Sequence, residues 1–218
     1  MSNSLIDLSH PIEHGLITYR GLPPPRISEY QGREESRRQY ADGTEFLIGK
    51  IEMVANTGTY LDSPFHRYPD GKDLSQLPLG SLANLDGVVM RKKDPERAID
   101  QNIFENIDVR GKAVLVHTGW DRYWNTNQYF EGNPFLTKMS AEYLVRAGAA
   151  LVGIDSVNID NTDDLTRPAH TVLLAADIPI VEHLCNLGSI PEKGFKFFAV
   201  PTMIKNFSSF PVRAFAIV

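Results

Sequence analysis

The densest concentration of reactive side chains runs Asn56-Thr57-Gly58-Thr59-Tyr60-Leu61-Asp62-Ser63-Pro64-Phe65-His66-Arg67-Tyr68-Pro69-Asp70-Gly71. On an extended backbone Tyr60 and Asp62 share one face, and Gly58 permits a bend that brings Asn56 alongside them. Asp62 is a hard oxygen ligand for a divalent cation. His66, just past the turn at Pro64, suits either metal binding or proton transfer near neutral pH. The plainer account makes Asp62 a turn cap, His66 a solvated imidazole and Tyr60 a core residue.

The flanking pattern says what must position these groups. Phe46 to Val54 partly alternates apolar with polar and predicts a half-buried strand that delivers the motif. Ala113 to His117 predicts a short apolar strand. Ser140 is placed to cap a helix carrying Tyr143, Leu144 and Ala147 until Gly148 stops it, and Ala150 to Ile154 predicts the next strand. That order is a βαβ unit with parallel pairing. Pro168 suits the first turn of another helix through Leu174, and further strands are expected at Ile178–Val181, Phe195–Val200 and Val212–Val218. The fold class is α/β with a substantial β component. The charged run from Gln31 to Gly43 predicts an exposed excursion or helix, and Leu22 to Pro25 a stiff loop.

The chain has 218 residues and 42% hydrophobic content, enough for one sizeable core, and the expected organisation is a single domain over residues 1–218. Its 22 Lys and Arg against 27 Asp and Glu give a formal charge of -5, which excludes the extended positive field of a nucleic-acid binder. No apolar run approaches the roughly 20 residues that span a bilayer, so no membrane partner is expected. Cys185 is the only cysteine, and a reducing cytoplasm is the expected location.

The motif residues Gly58, Thr59, Asp62, Pro64 and His66 match at fixed offsets the pattern His-x-Gly-Thr-His-x-Asp-x-Pro-x-His. The chain therefore resembles the kynurenine formamidase/cyclase family of metal-dependent amide hydrolases, which also includes isatin hydrolase-like proteins. Ile6 to Ile12, Pro69 to Lys72, Thr118 to Asp121 and Val152 to Asp160 resemble further family blocks, so the likeness covers nearly the whole chain. It implies a swivelling β/β/α domain with a mixed, barrel-like sheet, usually in a homodimer or homotetramer. It also implies that Asp62, His170 and Glu182 bind a divalent metal, zinc or manganese. His66 and Tyr60 are the expected catalytic residues. His10 and His117 are expected to be architectural, and His183 a surface residue.

Two positions depart from the pattern: Asn56 and Tyr60 stand where the family's first two histidine ligands belong. An amide oxygen or a phenol of pKa near 10 is a poorer zinc ligand than imidazole. The expected function is hydrolysis of a small-molecule C–N bond in an amide, formamide or lactam, an amidohydrolase reaction driven by metal-activated water, with His66 moving the proton. Two other classes stay open at the level of sequence: a small-molecule-binding homologue that has lost turnover, and a metal-independent enzyme using His66 and Tyr60 as acid and base. The aromatic group Trp120, Tyr123, Trp124, Tyr129 and Phe130 is a candidate substrate wall or subunit contact, with core packing the alternative.

Overall fold

A computed structural model describes residues 4–218. In chain order the elements are β1 (Leu5–Asp7), β2 (Arg26–Gln31), α1 (Arg33–Arg37), β3 (Ile48–Glu52), β4 (Tyr60–Asp62), β5 (Leu85–Arg91), β6 (Ala98–Ile99) and β7 (Ala113–His117). They continue with β8 (Phe135–Leu136), α2 (Lys138–Ala147), β9 (Leu151–Ile154), α3 (Pro168–Ala175), β10 (Ile180–Glu182), β11 (Lys193–Phe198), β12 (Ser209–Pro211) and β13 (Phe215–Ile217). Nine of the strands form one sheet in the order β1-β13-β11-β5-β7-β9-β10-β4-β12. Its centre, β5-β7-β9-β10, is parallel, and its flanks are antiparallel. The expected α/β class, mixed sheet and βαβ unit are all present.

Period-two alternation places the core on both faces of this sheet. Along β7, Ala113 and Leu115 enter one cluster with Leu8, Leu61 and Phe197. Val114 and Val116 enter the other, which α2 and α3 cover with Leu144 and Leu173. Burial on both sides explains the unbroken apolar runs at β7 and β9. Gly153 in β9 is required by packing: a Cβ there would come within 2.7 Å of Leu184 and 3.0 Å of Leu115.

The sheet curls until its edges nearly meet. Edge strand β12 and near-edge strand β13 are joined by Val212 to Ala214, whose backbone bonds Thr59 on one side (2.9 Å) and Leu8 on the other (2.9 Å). The expected barrel-like character is this curl.

Three local expectations are corrected. The strand predicted over Phe46 to Val54 is β3, exposed on both faces and paired only with β2 in a separate hairpin. The motif is delivered instead by β4, inside the main sheet. The cap of α2 is Thr137, whose side chain accepts from the Ser140 amide, while Ser140 bonds the Ile99 carbonyl. Gly148 does end α2, in the left-handed conformation. The tail strands lie near the expected segments with different ends, because cross-strand register, not local composition, sets where pairing stops. Pro168 opens α3 at its first turn as expected.

Candidate active site

Strand register builds the site. In β4, Leu61 enters the core, while Tyr60 and Asp62 share the opposite face. Antiparallel pairing with β10 sets Tyr60 directly across from Glu182, and the phenol donates to Oε2 of Glu182 at 2.5 Å. On the other side, pairing with β12 sets Asp62 across from Ser209, whose hydroxyl donates to Oδ1 of Asp62. Gly58 takes φ +67° just before the strand, and the Asn56 amide lies 3.4 Å from Oδ1 of Asp62.

The second half of the site comes from the loop after β9 and the start of α3. Asp160 accepts from the amides of Ala169 (2.6 Å) and His170 (3.0 Å), doing for α3 what an N-cap side chain does. The same carboxylate takes Nδ1 of His170 at 2.7 Å, which fixes the ring. Nε2 of His170 then lies 3.6 Å from Oδ2 of Asp62 and 3.7 Å from Oε1 of Glu182. His66 stands at the end of a short helical turn after Pro64, with Nδ1 3.1 Å from the Ser209 hydroxyl and 3.7 Å from Oδ1 of Asp62. Asp62, His66 and His170 each offer a ligand atom, all within 4.8 Å of one another.

The electrostatics follow from burying three carboxylates around one imidazole. Burial alone would depress His170, but the Glu182 charge, the bond to Asp160 and the nearby Asp62 carboxylate outweigh it and raise its pKa to about 10. Burial pushes Glu182 up, the His170 charge opposes this and Asp62 adds to it. Burial also works against the charge on Asp62, yet His66, His170 and Ser209 together hold it below the usual range. Tyr60 is driven well above 10 by burial and then by Glu182 and Asp62, so its proton stays on the phenol.

Whether these residues suit a cation is tested by one atom. Oδ2 of Asp62 is buried with no hydrogen-bond partner, and the His170 ring facing it at 3.6 Å is beyond hydrogen-bond reach, so a closer cation would satisfy it. The second orienting bond, from His170 Nδ1 to Asp160, is the arrangement that metal-binding imidazoles adopt. The donor types suit a divalent metal; the mutually close set is Asp62, His66 and His170, with Glu182 reaching it through His170 at 3.7 Å.

Tyr60, His66, His170 and Glu182 line a cleft of about 440 Å³ together with Tyr19, Asn56, Asn158 and Arg167, and Asp62 lies buried behind them. Neither His10 nor His117 lines it. His10 stacks on Trp124 at 3.9 Å, and His117 bonds Arg91 at 2.8 Å. His183 is a correction: it is 0% exposed, with Nδ1 2.9 Å from the Tyr129 hydroxyl. A left-handed backbone, φ +56°, ends β10 and turns this ring into the aromatic cluster rather than toward solvent. Tyr129 and Trp124, candidates for a substrate wall, a subunit contact or core packing, pack into that same internal cluster.

A sequence profile described as putative cyclase matches residues 6–161. The chain belongs to the cyclase family. Curated relatives named kynurenine formamidase include one from Geobacillus thermodenitrificans, 28% identical over 215 residues, covering 98% of this chain and 97% of the relative. Another, from Bacillus cytotoxicus, is 27% identical over 216 residues, covering 96% and 95%. Among solved structures, a potential metal-dependent hydrolase with cyclase activity superposes with TM-score 0.80 at 22% identity, covering 99% of this chain and 98% of the other. Isatin hydrolase A from Labrenzia aggregata, bound to benzyl benzoate, gives 0.82 at 21%, covering 99% and 94%. The likeness to the solved structures is one of fold.

Within this cyclase-family site, sequence reasoning missed Asp160, Asn158 and Ser209. Asp155 opens and Asp160 closes a segment, directly after a buried strand, in which polar residues interleave with Val157 and Ile159, a signal that polar groups there have partners. Asp155 uses its own on Thr118 (2.7 and 2.6 Å) and Gly119 (2.8 Å), although burial pushes it up to about 7. Ser209 carried no local signal, since only the β4–β12 register brings it to Asp62.

Proposed function

We propose that this chain is a metal-dependent hydrolase that cleaves the C–N bond of a small amide, formamide or lactam. The observation that carries the reading is the unpartnered Oδ2 of Asp62 set 3.6 Å from Nε2 of His170, with Oε1 of Glu182 3.7 Å from the same nitrogen. Asp62, His170 and Glu182 would hold the ion, and two carboxylates with one imidazole suit zinc or manganese. When bound, a divalent cation supplies Lewis acidity, lowering the pKa of water and offsetting negative charge at a carbonyl oxygen.

His66 moves the proton. Ser209 has one hydroxyl hydrogen, which goes to Oδ1 of Asp62, so Nδ1 of His66 carries the hydrogen directed at Ser209. Nε2 is left with its lone pair as a base. As the attacking water bonds the carbonyl carbon, Nε2 takes its proton; as the C–N bond breaks, that proton goes to the leaving nitrogen, giving a carboxylic acid and an amine. Oδ1 of Asn158 accepts the Asp160 amide at 3.0 Å, so its NH₂ is the donor available to a substrate carbonyl in the cleft. Tyr60 enters through Glu182: its hydrogen is given to Oε2, and donation to a substrate requires releasing that bond.

The likeness to proteins named kynurenine formamidase and isatin hydrolase supports this reaction class. A homodimer or homotetramer is part of the reading: the β2–β3 hairpin leaves the cross-strand pair Ile27 and Ile51 exposed at 43% and 49%, with Phe46, Leu47 and Ile48 beside it, and a second copy of the chain would cover them. No helix among the described residues is long and apolar enough to cross a membrane, and the single cysteine, which is free, suits the cytoplasm.

The test is metal analysis of protein purified without chelator, paired with turnover of formanilide and of a simple aryl lactam before and after stripping and reloading. Bound zinc or manganese with chelator-sensitive hydrolysis is expected. Absence of both would leave a binding homologue without turnover.

A further inference from the structure

His183 is a buried imidazole that the proposed reaction does not use, and the chain keeps it at two costs. Its backbone sits at φ +56°, an uncommon region for any residue but glycine, and its Nε2 is buried without a hydrogen-bond partner. Strained and unsatisfied positions persist where they serve a site. His183 directly follows Glu182. Strand alternation would send its side chain to the face of Val181 and Leu61, away from the site. The left-handed step returns the ring to the Glu182 side instead, where its centroid lies 5.3 Å from that of the Tyr60 ring, tilted by 47°.

Three contacts then run in series. The Tyr129 hydroxyl lies 2.9 Å from Nδ1 of His183 and fixes the imidazole. The imidazole packs on the Tyr60 ring, and the Tyr60 hydroxyl donates to Oε2 of Glu182. Oε1 of the same carboxylate already accepts from the Ile159 amide at 2.6 Å, so Tyr60 decides how the other oxygen is turned. Thr59 ties the motif strand to the same residue, its hydroxyl donating to the His183 carbonyl at 2.5 Å. Tyr129 is held from the far side: Trp124 packs edge-on to its ring at 5.1 Å, and the Trp120 indole donates to its carbonyl at 2.9 Å. Neither Tyr129 nor His183 lines the cleft, so neither touches a substrate there.

We propose that Tyr129 and His183 are positioning residues for the metal site, acting on Glu182 through Tyr60. The Tyr129 hydroxyl fixes the imidazole, the imidazole sets where the Tyr60 phenol points, and the phenol holds the carboxylate that would face the ion. A tyrosine in place of the family's histidine must be backed by something if its hydroxyl is to stay on Glu182, and the His183 ring is the surface it rests against. The series makes Tyr129 and His183 one unit, so losing either should have the effect of losing both. This rests on the hydrolase reading for the ion, but the Tyr60–Glu182 contact can be followed without one.

The experiment measures zinc affinity, by competition with a chromophoric chelator, for wild type, Tyr129→Phe, His183→Asn and the double variant, together with melting temperatures of the metal-free proteins. Asparagine tolerates the left-handed backbone, and phenylalanine keeps a ring packed on Trp124. Each single change should weaken zinc binding about tenfold, and the double variant no more than either single. The core truncation Ile99→Val, in the cluster covered by α2 and α3, should lower the melting temperature and leave zinc affinity as in wild type. A double variant weakened by the product of the singles, unchanged affinity in both singles, or a comparable loss in Ile99→Val overturns the positioning role and keeps the metal site. If wild type holds no zinc, crystal structures of metal-free wild type and Tyr129→Phe supply the answer. Loss of the Tyr60–Glu182 hydrogen bond in the variant keeps the positioning role and overturns the hydrolase, and an unchanged bond overturns both.

Discussion

Tyr60 and Glu182 face each other across β4 and β10, and the phenol gives its only proton to Oε2 of the carboxylate. The residue in a family histidine position thus acts as a hydrogen-bond donor to the carboxylate proposed as a metal ligand. Tyr60→Phe should therefore weaken metal binding about 10- to 100-fold, the usual effect of removing a group that orients a ligand. Competition with a chromophoric chelator measures it, and an unchanged affinity would remove the orienting role.

Asn56 and Tyr60 together occupy the position of the two missing imidazoles. Restoring both, with Asn56→His plus Tyr60→His, should raise metal content above wild type under identical loading, and either single change much less, because affinity depends on a completed ligand set. Hydrolysis need not rise with it, since the Tyr60–Glu182 bond is lost. No gain of metal in the double variant would mean that the backbone at Gly58 no longer places these side chains as ligands.

His66 is either base or ligand, and its 4.8 Å grouping with Asp62 and His170 makes the second role concrete. With Nδ1 engaged by Ser209, the base role predicts that His66→Ala lowers kcat about 10²- to 10⁴-fold while bound metal stays nearly constant. Parallel loss of metal and activity would reassign His66 to the ligand set.

Asp160 is the least obvious residue of the site and one of the most consequential. Asp160→Asn removes the charge facing Nδ1 of His170 and weakens the cap of α3, so metal affinity should fall about 10- to 100-fold and stability by about 1 kcal/mol. Thermal unfolding of the metal-free protein separates the two effects. A large stability loss with unchanged metal affinity would make Asp160 purely structural.

The buried histidines set an acid limit. Burial holds His183 down to about 3, with nearby His10 adding and Asp62 opposing, and holds His10 down to about 4 against the pull of Asp121. In the unfolded chain both imidazoles take up protons near 6.5, so their contribution is present above that pH and is lost as pH falls toward 4 and then 3. By pH 5 His183 alone should account for on the order of 2 kcal/mol. Urea midpoints of metal-free protein should drop between pH 7 and 5, and the drop should shrink in His183→Gln; an equal drop in that variant would locate the acid sensitivity elsewhere.

How far this was legible in the sequence depended on range. Asp62, His170 and Glu182 could be named because the motif spacing and flanking blocks are local and match a family. The strands β7 and β9 could be read because burial on both faces leaves unbroken apolar runs. What failed was whatever depended on pairing across the chain. Ile48 to Glu52 has the composition of a sheet strand yet pairs only with β2, Ser209 reaches Asp62 only through strand register, and the turn of His183 is set by one positive φ.

The segment that joins the two edges of the curled sheet carries a mechanical consequence. Residues 209–217 supply Ser209 beside Asp62 at one edge and pair with β1 and β11 toward the other. Peeling this one segment away would leave the parallel centre paired, yet it would remove the hydroxyl that holds His66 and the strand that covers Asp62. The segment therefore works as a latch: barrel closure and site assembly open or close together.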